Sequence, residues 1–216
     1  MHLILMGAPG SGKGTQAKLL IERFGLDHIS TGDMLRATVA EDSALGREVK
    51  EILEAGQLVS DELVAQLVDH RLDQNRDGAG CIMDGYPRTA TQSSTFDQSL
   101  PRLGLSLDAV ILLEVDDDTV ASRVSGRRLD PETGQIYNIN EDENAIDPEV
   151  RNRLQQREDD TDKVVRDRLN IYHQQTAPVI EHYQHQDLLL RVDGMASPDD
   201  VGVEILRQLE AIAPRG

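Results

Sequence analysis

The sequence predicts an α/β fold, a parallel sheet with helices on both faces, and three observations carry that prediction. Five short apolar runs recur along the 216 residues, helix-like sequence separates each from the next, and a glycine-rich run follows the first of them without a gap. Strands alternating with helical segments argue for parallel pairing, because a parallel neighbour is reached only by a crossover long enough to hold a helix. A chain of this length can bury such a core as one domain with room for small insertions.

The first run, Leu3 to Met6, reads as a buried strand and leads into Gly7 to Thr15, Gly-Ala-Pro-Gly-Ser-Gly-Lys-Gly-Thr. Glycines at 7, 10, 12 and 14 let bare backbone amides curl round a polyphosphate, and Lys13 is placed to reach its outer phosphates. A helix beginning near Lys13, amphipathic from Gln16 to Phe24, turns its positive end on the same anion. Thr15 lies one residue beyond the usual Lys-Ser/Thr pair, which makes its hydroxyl a candidate holder of Mg2+ or phosphate. The second strand is His28 to Ile29. Ser30 to Val59 does not fit a plain doubly wound core and reads as an inserted lobe, with helices at Asp33 to Ala40 and Ala44 to Ala55.

Ser60 with Asp61 and Glu62 marks the start of a helix to Gln74, the hydroxyl capping free amides and the acids suiting the dipole. Cys81 to Met83 is the third strand. It ends on Asp84, and a carboxylate at a strand's carboxyl end can orient water on Mg2+. Pro87 stiffens the chain before Arg88 and fixes where that side chain points. The fourth strand is Ala109 to Val115, followed by a helix at Asp118 to Ser125. Gly126 to Asp160 is polar, weakly periodic and too long for a plain connection; it reads as a second lobe that closes over ligand. Glu149 to Gln184 is a long helical stretch, Leu188 to Val192 the fifth strand and Asp199 to Ile212 the last helix.

The balance of 22 Lys+Arg against 39 Asp+Glu gives a net charge of −17. Such a surface repels nucleic acid and fits adaptation to a salt-rich cytoplasm. Lysine stands only at 13, 18, 50 and 163, so the positive charge is almost all arginine. An anionic ligand is still admissible, since the Debye length is about 8 Å at physiological salt and about 3 Å at 1 M. Distant carboxylates are screened, whereas arginines touching the ligand are not. No window approaches the apolar length of a membrane span and no charged leader precedes an apolar stretch, so a cytoplasmic protein without membrane contact is expected. Cys81, the single cysteine, sits in an apolar run and reads as a reduced core residue.

Arg36 and Arg88 accompany Thr31-Gly32-Asp33 and Asp84-Gly85-Tyr86-Pro87, while Arg123, Arg127, Arg128, Arg151, Arg153, Arg157, Arg166 and Arg168 crowd the second lobe and its borders. Guanidinium groups grip phosphate oxygens bidentately and keep their charge, which suits a site where a charged group moves between two anions. For Arg128, Arg151, Arg153 and Arg166, pairing with neighbouring acids is the preferred reading. No protein nucleophile is evident: there is no Gly-x-Ser-x-Gly elbow, and no histidine lies near Cys81 in sequence to activate it. The histidines at 2, 28, 70, 173, 182 and 185 form no metal-ligand pattern and no Cys-x-x-Cys pair occurs, so no zinc is expected.

Four motifs then stand in order: Gly-Ala-Pro-Gly-Ser-Gly-Lys-Gly-Thr-Gln at 7–16, Ser-Thr-Gly-Asp-Met-Leu-Arg at 30–36, Asp-Gly-Tyr-Pro-Arg-Thr at 84–89 and Gly-Arg-Arg at 126–128. With them the chain resembles the adenylate kinases of the long-lid type, from Met1 to about Ile212. The resemblance implies a P-loop core with a five-stranded parallel sheet at 1–29, 60–125 and 161–216, an AMP-binding lobe at 30–59 and a lid at 126–160, in a monomer. It implies reversible phosphoryl transfer from MgATP to AMP giving two ADP, with Mg2+ held through ATP phosphates and water and with Thr15 and Asp84 as candidate protein partners.

Residue by residue, the resemblance implies that Gly10, Ser11, Gly12, Lys13, Gly14 and Thr15 hold the ATP phosphates, Lys13 following the transferred group. Thr31, Arg36, Gln57, Leu58, Val59, Gly85, Tyr86, Pro87, Arg88 and Gln92 would bind AMP, Arg36 and Arg88 taking its phosphate and Gln92 its base. Arg123 would lie on the ATP adenine beside the backbone of Ala196. Arg127, Ile136 and Tyr137 would cover ATP from the lid, and Arg157 and Arg168 would clamp phosphates as it shuts. Where some relatives hold the lid with zinc-binding cysteines, Asp130, Thr133 and Asp147 are here the candidates for a polar network. The acidic stretch Glu141 to Glu149 would make the lid salt-dependent. A sister kinase acting on UMP, CMP or GMP is the nearest rival, against which Thr31 and Gln92 favour AMP. A nucleotide-binding switch is a second, against which no Asn-Lys-x-Asp or Thr-Lys-x-Asp motif occurs.

Overall fold

The computed structural model describes residues 1–40, 43–74, 78, 80–142, 146–157 and 160–212, so residues 143–145 of the acidic stretch lie outside the described residues. Along the chain come β1 (His2–Gly7), α1 (Lys13–Phe24), β2 (Asp27–Ser30), α2 (Thr31–Ala40), α3 (Ala44–Glu54), α4 (Asp61–Gln74), β3 (Cys81–Asp84), α5 (Ala90–Arg102), β4 (Ala109–Glu114) and α6 (Asp117–Gly126). Then follow β5 (Arg127–Leu129), β6 (Ile136–Asn138), α7 (Ile139–Asp142), α8 (Pro148–Arg153), α9 (Asp162–Ile171), a π-helical turn at Tyr172–Thr176, α10 (Ala177–Gln184), β7 (Leu189–Asp193) and α11 (Pro198–Glu210).

Each of the five apolar runs is a strand, with ends within one residue of those expected. The sheet runs β2-β3-β1-β4-β7 and every neighbouring pair is parallel. Alternate residues of the strands enter separate cores. Leu3, Leu5, Ile111 and Leu113 pack with Ala17 and Leu20 of α1 and Ile205 of α11. Ile4, Met83, Val110 and Leu112 pack with Phe96 and Leu100 of α5 and Val179 and Tyr183 of α10. Both faces of the sheet are therefore covered, which is why its strands read as unbroken apolar runs. With β3 on one side of β1 and β4 on the other, connections leave in opposite directions, and a crevice opens at the carboxyl end of β1.

Two elements depart from the sequence expectation. Helix α5 was not anticipated, because Ser93, Ser94, Thr95, Ser99 and Pro101 are poor helix formers. Tertiary burial of Phe96 and Leu100, four residues apart, and a Thr89 cap on the Gln92 amide override that propensity. The stretch Glu149 to Gln184 is not one helix. It leaves helical geometry after Arg153 so that Gln155 can exchange two backbone bonds with Leu129, at 2.7 and 2.9 Å. Thr161 then caps α9 by accepting from the Val164 amide. Farther on, the π turn precedes Pro178, whose ring lacks the N–H that a regular α-helix needs there.

Candidate active site

The glycine-rich loop leaves β1 at the crevice and ends in the first turn of α1. Gly10 has φ +83°, and a Cβ there would stand 2.4 Å from Val124 Cγ2 of α6, so the tight path past α6 is open only to glycine. Lys13 Nζ donates to the carbonyls of Gly7 and Ala8, each at 2.8 Å, curling back over the loop. Ser11 Oγ is buried and has no partner among the described residues. Thr15 is exposed on the first turn of α1.

Burial lowers the Lys13 ammonium to about 8; Asp84 opposes the shift, and Arg88, Arg168 and Arg127 add to it. A polyphosphate in the loop would raise that value towards the ordinary lysine range. Since a cation whose pKa rises on binding prefers the ligand when protonated, the part of the affinity for inorganic tripolyphosphate that Lys13 contributes, read as wild type against Lys13→Met, should be level below about pH 8 and shrink above it. Calorimetry in buffers of different ionisation enthalpy should show more proton uptake by the wild type than by Lys13→Met above about pH 8 and little difference between them at neutral pH. Equal uptake by wild type and variant above about pH 8 would contradict the assignment.

Asp84 closes β3, in register with Leu5 of β1 and Ser30 of β2. Burial pushes its carboxyl up, but the neighbouring His28, Lys13 and Arg88 together hold it below the usual carboxylate value. His28 Nε2 lies 3.6 Å from Asp84 Oδ2.

Beside Asp84 a narrow recess is lined by Thr31, Gln57, Leu58, Val59, Gly85, Arg88 and Gln92, together with Leu35, Leu53 and Val64. Seven positions singled out from sequence thus meet in one cavity. Thr31 Oγ1 and Arg88 Nε both donate to the Gly85 carbonyl, at 2.9 and 2.6 Å. Gly85 has φ +78°, and a Cβ there would lie 2.7 Å from Arg88 Nη2, so glycine lets the guanidinium fold in. Gln92 is buried, with Oε1 accepting from the Arg88 amide at 2.7 Å and Nε2 donating to Asp61 Oδ1 at 2.7 Å. These bonds orient its amide and leave one N–H and one lone pair for the recess.

Asp61 and Thr89, whose side chains bond each other at 2.9 Å, are the partners that sequence reasoning missed. Asp61 signalled only a helix start, and nothing in the sequence links it to a glutamine 31 positions away.

Other candidates sit outside the recess. Tyr86 is 2 % exposed and its ring packs edge-on against Phe96, so its contribution to the recess would be backbone. The neighbouring Pro87 is buried, following a cis bond. Arg36 folds back on Asp33, Nη2 to Oδ1 at 2.5 Å. Burial pushes the Asp33 carboxyl up, but Arg36, Ser30 and Arg157 hold it below its ordinary value. The stem of Arg168 passes over Gly56, next to the recess wall. Arg123 Nη1 donates to the Gly194 carbonyl at 3.0 Å, and Ala196 is exposed two residues on.

In the second lobe, β5 and β6 form an antiparallel hairpin that carries Ile136 and the partly exposed Tyr137. Arg127 makes a forked pair with the buried Asp160. Asp130, also fully buried, accepts Nε and Nη2 of Arg153, each at 2.8 Å, Thr133 Oγ1 at 2.8 Å and the Glu132 amide at 3.0 Å. Asp147 does not join this network; it caps α8, accepting the Glu149 amide at 2.8 Å. Arg153 therefore supplies the cation of the Asp130 network. Arg153→Leu would leave the Asp130 carboxylate buried and unpaired, and hydrogen exchange should accelerate across 127–138 while the five-stranded sheet stays protected. Unchanged exchange in the hairpin would contradict that role. Among the described residues, no cluster of three or more His, Cys, Asp or Glu is placed to hold a metal ion.

A family model described as "Adenylate kinase" matches residues 5–188. A curated relative named "Adenylate kinase" from Syntrophotalea carbinolica is 46% identical over 212 residues, covering 97% of this chain and 98% of its own. Relatives of the same name from Fusobacterium nucleatum and Kosmotoga olearia are each 43% identical, over 97% of this chain and 98% and 99% of theirs.

Proposed function

The chain belongs to the adenylate kinase family of nucleoside monophosphate phosphotransferases, and from that premise we propose how its residues divide the transfer of a phosphoryl group from MgATP to AMP, giving two ADP. The observation that carries the assignment is electrostatic. Lys13 in the loop and Arg88 in the recess lie close enough for one to depress the other's proton affinity, and Arg168 and Arg127 reach the same point. Cations gathered between the glycine-rich loop and the recess, with Asp84 as the counter-charge at Lys13, repel one another when no ligand is bound and are favourable when two polyphosphates face each other there.

In this reading the core (1–29, 60–125, 161–216) carries the ATP loop, 30–59 is the AMP lobe and 126–160 is the lid. The Gly10–Thr15 loop takes the ATP phosphates on its backbone amides, and the orphaned Ser11 hydroxyl gains a partner. The recess takes AMP, with Gln92 reading the base and Arg88 the phosphate; Arg36 turns from Asp33 to the same phosphate. Arg123 and the Ala196 backbone hold the ATP base. Arg127, Ile136 and Tyr137 cover it, while Arg157 and Arg168 neutralise the group in flight. The attacking AMP oxygen is already ionised, so no base is called for; catalysis is positioning and charge stabilisation. Closure of the lid excludes water that would otherwise accept the phosphoryl group.

The Asp84 carboxylate, held ionised beside Lys13, would offer an oxygen donor of the kind that suits Mg2+, a hard cation that keeps most of its water, and the exposed Thr15 hydroxyl would be a second candidate. When bound, Mg2+ neutralises and clamps the donor phosphates. The protein would work as a cytoplasmic monomer on small nucleotides, with no nucleic acid or membrane partner; among the described residues no helix is long and apolar enough to cross a membrane.

The net charge of −17 supports adaptation to a salty cytoplasm. Activity should persist or rise in molar KCl, and collapse there would refute the adaptation while leaving the reaction untouched. A panel of AMP, UMP, CMP and GMP with MgATP tests the substrate. AMP should give the largest kcat/KM, and a clear preference for another monophosphate would overturn the choice.

A further inference from the structure

Gln16 stands three residues past the loop lysine, on the first turn of α1, and is 3% exposed. Its Nε2 donates to the Pro198 carbonyl, at the start of α11, at 2.8 Å. Its Oε1 is buried with no partner among the described residues. A buried unpaired carbonyl opposes folding, and a methionine of similar size would fill the space without that penalty. The amide is therefore a poor choice for stability alone, and its distinctive property is the bond it makes to α11. The approach is close: a Cβ on Gly202 of α11 would lie 2.6 Å from Leu19 Cδ1 and 3.3 Å from Gln16 Oε1.

That bond pins one end of the short strap 194–198. The other end is pinned at Gly194, whose carbonyl accepts from Arg123 Nη1 at 3.0 Å and whose amide donates to the Glu114 carbonyl at 2.8 Å. Between the anchors, Asp193 Oδ1 accepts the Met195 amide at 2.9 Å, and Ser197 caps α11 by accepting the Asp200 amide. Ala196 is left exposed in the middle of the strap.

We propose that Gln16 is a positioning residue for the donor base, tying the phosphate-loop helix to the strap so that the span from phosphate cradle to base-reading backbone is fixed. The inference rests on the assignment of Ala196 and Arg123 to the ATP base. A strap carbonyl held at a set distance accepts a hydrogen bond from an exocyclic amine and repels a carbonyl, which separates adenine from guanine. A strap free to drift loses that contrast without losing its grip on phosphate.

Gln16→Met, and Gln16→Asn with its side chain one methylene short, test this. Each should raise KM for ATP by roughly 3- to 10-fold and reduce the ATP-over-GTP ratio of kcat/KM by a similar factor. KM for AMP and inhibition by inorganic tripolyphosphate should stay unchanged, and the Met variant should melt no lower than the wild type. An unchanged ATP-over-GTP ratio in both variants, or tripolyphosphate binding that weakens in step with ATP, would overturn the role. So would a wild-type chain that uses ATP and GTP equally. A wild-type chain that makes no ADP from ATP and AMP would instead remove the reading beneath it.

Discussion

Arg88→Ala is expected to lower turnover by about 10²- to 10³-fold, the loss typical when one preorganised charge at a transition state is removed. The fold should survive. The backbone bonds of Arg88, its amide to Gln92 Oε1 and its carbonyl from Thr176 Oγ1 at 2.9 Å, do not depend on the side chain. The guanidinium itself bonds the Gly85 carbonyl and reaches the electrostatic environment of both Lys13 and Asp84. Its loss removes the recess's share of the cation cluster. Arg88→Lys should recover only part of the rate, because an ammonium cannot offer the forked pair of donors. Thermal melting close to the wild type together with a collapsed kcat supports the assignment, and near-normal activity in Arg88→Ala removes Arg88 from the site.

Lys13→Met should be at least as damaging, with kcat falling by about 10³-fold or more and KM for MgATP rising. In the free protein the ammonium rests on the carbonyls of Gly7 and Ala8, so it is already stationed within the loop. Stability should move the other way. Burial depresses the Lys13 pKa to about 8, so near neutral pH the folded state carries an ammonium it disfavours. That penalty is fully present below about 8 and is relieved as pH rises from there towards the unfolded-chain value. Replacement by methionine should therefore not lower the melting temperature at pH 7. A marked destabilisation with activity largely kept would make Lys13 a structural residue.

The sheet was legible because both faces of each strand are buried, so Leu3 to Met6 or Ala109 to Val115 stand out as unbroken apolar runs. The recess was legible as motifs rather than as geometry. Sequence could name Arg88 and Gln92 but not the Asp61 bond that orients the Gln92 amide, since that contact spans 31 positions and two helices. Helix α5 was hidden by serines and threonines whose propensity is overruled by Phe96 and Leu100 entering the core. In the second lobe the expected Asp130 and Thr133 contact is made, yet its centre is Arg153, a residue read as an ordinary surface pairing. Charge alone could not reveal that its partner is fully buried.

The central claim is that two nucleotides meet over one cluster of cations and exchange a phosphoryl group directly. It is tested most directly by following nucleotides in three reactions with magnesium: ATP with AMP, ATP alone and AMP alone, each at low and high ionic strength. The account predicts that ATP and AMP together disappear in equal amounts as two ADP form for each pair, with negligible ADP from ATP alone. ADP production that does not require AMP, or no ADP from the pair at either ionic strength, would contradict it.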